Sequence, residues 1–513
     1  MIKKITFWPG LLTAIGTVIG SGIFFKSDDI LRLTNGNVTT AIIGWIIFGI
    51  SLTFAGISVS VVAQHTNSPG GSVGYIKDIF GEKYAFLVGW FEAIIYMPIL
   101  ISLLSIVASI FFFQFIGYDT RSISPLIINS VALLFIFITF FYNYISTRLS
   151  ALFSSTSTII KFLPIIIIAA AGLINFDHAL IMKDLKDFQF NEFTSPLLSM
   201  SFSFGGWIVV ATLSKDMENP QRDMGKILAI NALIITIAYV MYFIGITMLM
   251  PANEIISYGD AHVALIANRL LGNYGEKILL FCVLISVLGT LNGKVIGGFR
   301  YPHALAQQKD IPFSSFFRKE SKFKTNGTAA LLTLVISLIW FTCYTIQAIA
   351  KTNASVEALA TKEYMFSGIS FEDIPIMIVS FEAIALMVGG YLLAKRHKLG
   401  VFKTYIAPFV GIVGQIYVVV SFVHTNSSWL FYMFISAIII GIGVSIRTYL
   451  KRKDTFQFIV NKSTAFQHNL FLPLPVMMTT LALYAIPNSQ FPSHKMTFYQ
   501  KMKELTLTFT FMK

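Results

Sequence analysis

The chain has 513 residues, of which 55% are hydrophobic and 12% charged, with 48 Phe and a formal net charge of +13. Soluble globular chains carry about 25% charged residues. A water-exposed globule, a disordered chain and, with only two cysteines, a disulfide-stapled secreted domain are therefore excluded. An integral membrane protein remains, with room for about twelve helical spans of ~20 residues.

In chain order, apolar runs predict spans at about 7–31, 38–63, 83–115, 124–144, 149–174, 196–214, 227–250, 275–302, 328–350, 373–394, 404–424 and 428–450. They lack the short alternating segments of an outer-membrane barrel. Helices follow, because backbone polar groups in lipid must be paired within the segment. The run Met1–Phe25 has Lys3 and Lys4 ahead of it, as a signal peptide does, but its glycines and the spans that follow favour a retained first span. Twelve spans put both termini on one side. About 22 basic residues, among them Lys77, Arg222, Arg318, Arg396 and Lys451, fall on that side and about nine on the other. That side is expected to be cytoplasmic, and the excess positive charge reads as orientation, not as a nucleic-acid surface.

Span 1 contains Gly16-Thr17-Val18-Ile19-Gly20-Ser21-Gly22-Ile23-Phe24, and span 6 contains Ser201-Phe202-Ser203-Phe204-Gly205-Gly206-Trp207. Each helix-interior Gly costs ~1 kcal/mol relative to Ala. Small residues also let helices pack closely, but interruptions at the first and sixth positions of two runs of five point to a transporter site near the bilayer midplane. Unwinding frees N–H groups for an anion and carbonyls for a cation.

Gly20-Ser21-Gly22-Ile23-Phe24 resembles the first-span signature of the amino acid–polyamine–organocation superfamily, and Phe202 to Trp207 resembles its sixth-span break. Asn219-Pro220-Gln221-Arg222, Leu291-Asn292-Gly293, Arg300 and Ile311-Pro312 extend the likeness over about residues 5–452, closest to the L-amino-acid transporter and bacterial permease branch. The resemblance implies an all-α LeuT-type fold: an inverted repeat of about 5–174 and about 196–394, with extra helices over about 403–450. Residues 453–513 form a tail of uncertain structure. It also implies a secondary amino acid transporter that needs no cofactor and performs no catalysis. The substrate carboxylate would meet the N–H groups of Gly20, Ser21 and Gly22. The ammonium would meet carbonyls of Val18, Phe202, Ser203 and Gly205, with Phe202 as a lid and Phe204, Trp207 and Ile208 about the pocket. Ile208 and Val209 stand where the family often has Asp or Asn, which favours neutral substrates; cationic amino acids or polyamines are the alternative. A channel or substrate sensor on the same fold is the reading from another class. Lys215-Asp216 replaces a common acidic pair.

Four charged residues fall deep within spans, away from the span ends: Glu92, Lys161, Lys294 and Glu382. Each costs several kcal/mol in lipid unless paired or hydrated. Lys161 matches the family's span 5 lysine and is expected either to exchange a proton or to brace span 1 through its carbonyls. Lys294 is a second coupling candidate, otherwise reaching toward the cytoplasm or pairing locally. Glu92 reads as structural, and Glu382 as a conceivable partner of Lys294. The histidines show no ligand spacing, so no metal is expected. No Walker motif supports ATP-driven transport. Loop 252–273 is expected to hold a short helix, Ala261–Leu271. The loop 116–123 has no Cys, so no disulfide-linked ancillary subunit is expected. Partners are the lipid bilayer and a small-molecule substrate.

Overall fold

The computed structural model describes residues 5–20, 22–66, 71–174, 195–210, 213, 217–319, 325, 327–354, 370–425 and 429–462. Two compact units emerge, Met1–Val444 and Ser445–Lys513. The first contains the helical bundle; of the second, the described part ends at Lys462. The expected tail beyond that point, Ser21 and Lys215-Asp216 lie outside the described residues.

Among the described residues the elements are helical apart from one isolated parallel bridge, Ile5 to Met217. Ten described helices are long and apolar enough to cross a membrane. Span 1 appears in pieces, and the described part of span 6 is a short helix that gives way to turns. Span 1 is α1 (Phe7–Val18), α2 (Gly22–Phe25) and α3 (Ser27–Leu33); span 2 is α4 (Val38–His65). After α5 (Ser72–Phe80), span 3 runs through α6 (Glu82–Phe91), a π-helical segment (Glu92–Tyr96) and α7 (Met97–Phe115). Spans 4 and 5 are α8 (Pro125–Ile145) and α9 (Thr147–Ile174), and span 6 begins as α10 (Leu197–Ser203). Span 7 is α11 (Pro220–Leu249), followed by α12 (Ala252–Tyr258). Span 8 belongs to α13 (His262–Gln307), which bends at Gly272. After α14 (Ser314–Phe317) come spans 9 to 12: α15 (Gly327–Asn353), α16 (Asp373–Arg396), α17 (Ala407–Thr425) and α18 (Trp429–Lys462).

Local chemistry sets these boundaries. The Asn37 side chain accepts from the Thr40 N–H at 2.8 Å and starts α4. Pro98 has no N–H and its ring displaces the carbonyl four residues back. The π-helical turn lies just before it, and the indole N–H of Trp340 on α15 donates to that carbonyl, Ile94, at 3.0 Å. A second π-helical turn, Phe402–Ile406, precedes Pro408 in the same way.

Spans 2 and 7 pack along much of their length, as do spans 3 and 8. Asn292 on α13 joins spans 4, 5 and 8. Its Oδ1 accepts from Tyr142 at 2.8 Å, Asn143 at 2.7 Å and Ser150 at 3.1 Å, while its Nδ2 donates to the Ser150 carbonyl. The outer faces are apolar, with Phe141, Leu152, Ile159 and Phe409 exposed. In water such a belt would be untenable; in hydrocarbon it is the expected surface.

Candidate functional site

Helix α1 stops at Val18, and Ile19 is extended (φ −63°, ψ 111°) before the chain resumes at Gly22. Helix α10 stops at Ser203, and the chain turns through Phe204 to Ile208, with Gly206 at φ +106°. That left-handed angle suits a residue without Cβ. The two breaks touch backbone to backbone: a Cβ built on Gly22 would lie 2.7 Å from the Ser203 Cα. Val18, Gly20, Gly22, Phe202 and Ser203 are buried, and Gly205 is half-buried. The structure thus brings Gly22 against Ser203 and Gly205 against Phe202, while Val18 ends α1.

Two of the expected carbonyl acceptors already have one donor each. The Gly205 N–H donates to the Phe202 carbonyl at 2.8 Å, and the Tyr239 hydroxyl donates to the Ser203 carbonyl at 3.0 Å. A carbonyl oxygen has two lone pairs, so that of Ser203 can accept from an ammonium as well. Tyr239, on α11, also lies against the Gly20 backbone. It therefore spans both breaks. Sequence reasoning missed it, although a tyrosine in a lipid-spanning helix calls for a hydroxyl partner.

The aromatic residues divide around the span 6 break. Phe202 lies beneath the Lys26 ammonium, 5.6 Å from ring centroid to Nζ. Phe204 turns the other way and packs on Trp45, Phe48 and Tyr239. Trp207 and Ile208 are buried beyond it.

Lys161, 1% exposed, reaches from α9 to the end of α1. Its Nζ donates to the carbonyls of Gly16 at 2.5 Å and Ile19 at 2.6 Å. The last carbonyls of a helix lack intrahelical donors and carry the negative end of its dipole. An ammonium there satisfies both demands. The brace to span 1 carbonyls is thus present as geometry.

Lys294 does not extend toward the bundle end. It is 5% exposed, its Nζ donates to the Tyr96 hydroxyl at 3.3 Å and lies 4.9 Å from that ring's centroid. A Cβ built on Gly206 would lie 3.4 Å from Lys294 Nζ and 3.2 Å from the Thr17 carbonyl. The aromatic face and hydroxyl of Tyr96 make a burial site for the ammonium that a snorkelling lysine would not need.

At the end of the bundle away from Ile5, Lys26 pairs with Asp29 at 3.0 Å and with Glu372 at 3.5 Å. Glu372 also accepts from the Tyr344 hydroxyl at 3.4 Å. Asp28 meets Arg32 at 3.5 Å. This link between spans 1 and 10 was not anticipated. Its trace in the sequence is a charged residue near one end of each span, with nothing to say that the two meet.

The family model described as amino acid permease matches residues 5–503. Over 338 residues the chain is 28% identical to the serine/threonine exchanger SteT of Bacillus subtilis, covering 66% of this chain and 76% of that protein. It is 25% identical over 317 residues to the human cystine/glutamate transporter, covering 60% and 62%. With the mouse b(0,+)-type amino acid transporter 1 it shares 24% over 301 residues, covering 57% and 60%. The chain spans about three-fifths of the length of these two mammalian relatives. A helical bundle with interrupted first and sixth spans, and a family match along nearly all of its length, lead to one conclusion: the chain belongs to the amino acid permease family.

Proposed function

We propose that the protein is a secondary transporter that carries neutral amino acids across the cell membrane by alternating access, with both termini cytoplasmic. One observation carries this reading: two interrupted helices meet backbone to backbone, with no charged side chain on the described part of either break. An amino acid zwitterion matches such a site. Its carboxylate suits the N–H groups at the start of α2, which have no intrahelical acceptor, and its ammonium suits the carbonyls at the end of α10, that of Ser203 among them. The named site set is Val18, Gly20, Ser21, Gly22, Phe202, Ser203 and Gly205, with Lys161 holding span 1 against span 5. Repeats of about 5–174 and about 196–394, with spans 11 and 12 appended, belong to the same proposal.

Exchange is the favoured mode, supported by the likeness to the serine/threonine exchanger. Lys294 beside Gly206 disfavours a cationic side chain in the pocket through like-charge repulsion. Polyamines and arginine are therefore expected to bind poorly. No disulfide-linked ancillary subunit is proposed, since Ile116–Ile123 contains no cysteine.

The test is a thermal-shift screen of the purified chain against all amino acids and common amines, followed by uptake into proteoliposomes. Stabilisation by neutral amino acids with saturable, trans-stimulated uptake is expected; a ligand at 100 times its Kd adds about 2.7 kcal/mol of stability. Flux linear in concentration, or binding without flux, overturns the transporter reading. Displacement of a bound neutral amino acid by arginine or putrescine overturns the substrate class.

A further inference from the structure

Spans 3, 8 and 10 meet at an ionisable cluster that the backbone site does not use. From span 3 come Glu92, at the start of the π-helical turn, and Tyr96; from span 8, Lys294 and Tyr301; from span 10, Glu382; and from α5, Ser72. Glu92 is 2% exposed, and Glu382 and Lys294 are each 5% exposed. The two carboxyl groups face one another, and Lys294 lies within electrostatic reach of Glu92. Ser72 lies beside both Glu382 and Tyr301.

The hydrogen bonding of this cluster is incomplete. Oε2 of Glu92, both carboxyl oxygens of Glu382, the Ser72 hydroxyl and the Tyr301 hydroxyl are buried beside one another, yet none makes a hydrogen bond of good geometry. Charge is out of balance as well, because two carboxylates and one ammonium leave a net −1 in a buried site. Facing buried carboxylates disfavour double ionisation. One added proton makes the cluster neutral and, as a carboxylic O–H donating to the opposite carboxylate, pairs one oxygen of each acid.

We propose that Glu92 and Glu382 form a proton-binding site that holds one shared proton between spans 3 and 10. The proton comes from water, bonds to one carboxylate oxygen, and returns to water when the cluster is hydrated. Lys294 balances the remaining negative charge. Because its Nζ also borders Gly206, the state of the acid pair is felt directly at the span 6 break. The consequence for transport rests on the proposed function above, but the site itself does not.

Infrared difference spectroscopy of the purified full-length protein reads the carbonyl stretch of protonated carboxylic acids apart from carboxylates. The wild type is expected to show, at neutral pH, one buried-acid band more than the Glu92→Gln/Glu382→Gln double variant. Glu92→Gln and Glu382→Gln should each abolish it, since one carboxylate and Lys294 then form a neutral pair. Lys294→Met should raise it to two. Misfolding cannot mimic these opposite changes, and thermal unfolding of each variant checks the fold. Absence of the band in the wild type, or its persistence in both Gln variants, overturns the proposal. Amino acid stabilisation measured on the same samples separates the two claims. Stabilisation without the band removes the proton site alone, whereas the band without stabilisation removes the transporter reading alone.

Discussion

At Gly22 one methyl group decides whether two interrupted helices can meet. The Cβ of an alanine there would press on the Ser203 backbone, which cannot swing aside as a side chain tip can. Overpacking of this kind costs about 1–3 kcal/mol, and relief requires the breaks to separate. Gly22→Ala should therefore abolish amino acid binding in the thermal-shift assay while the protein still folds. Wild-type affinity in that variant would show that the substrate does not bind where the breaks touch. Lys161 poses the opposite case, a charge whose removal leaves acceptors without donors. Hydrogen bonds from a charged group contribute about 1.5–3 kcal/mol each, and Lys161 makes two. Lys161→Met should lower the Tm and weaken amino acid binding. Uptake measured against pH then separates its two roles: a flattened profile assigns it a part in coupling, and an unchanged profile leaves it a cap for α1.

Among elements, the boundaries that matter are those where a helix cannot continue. The π-helical turn at Glu92–Tyr96 follows from Pro98, and it sets the register in which Glu92 and Tyr96 face spans 8 and 10. The sequence shows the proline plainly, but not that the strain is absorbed as an extra residue in the turn, nor that Trp340 arrives to take the released carbonyl. Interrupted spans 1 and 6 were visible because glycine and serine cluster in otherwise apolar runs. Pairings across the bundle were not: Tyr239 with Ser203, Lys26 with Glu372 and Lys294 with Tyr96 join residues far apart in the chain. Composition along one helix carries no record of its neighbour's azimuth. The Lys26–Glu372 link closes span 1 against span 10 above Phe202. Glu372→Gln should shift the ensemble toward opening at that end. A cysteine placed at Phe202 should then react faster with a membrane-impermeant thiol reagent in intact cells or right-side-out vesicles. Unaltered labelling would reduce the pair to a surface contact, which contributes only about 0–1 kcal/mol.

On the scale of the whole molecule, low charge and long apolar runs foretold a helical membrane bundle, and the described structure has that form. What composition could not apportion is how the few polar groups inside the bundle divide their work. Asn292 locks spans 4, 5 and 8, Lys161 ends α1, and Lys294 faces the breaks, although the three look alike as polar residues in apolar segments. Only neighbours distinguish them. The short bridge between Ile5 and Met217, with the Glu218 N–H donating to the Ile5 carbonyl at 2.9 Å, has a further consequence. It staples the entry to the first span onto the lead-in to the seventh, so these two chain segments travel as one body. A spectroscopic label attached at the exposed Glu218, beside the bridge, would thus report the movement of that body. Its distance to a second label on span 9 would read the progress of the cycle, one molecule at a time, without touching the substrate site.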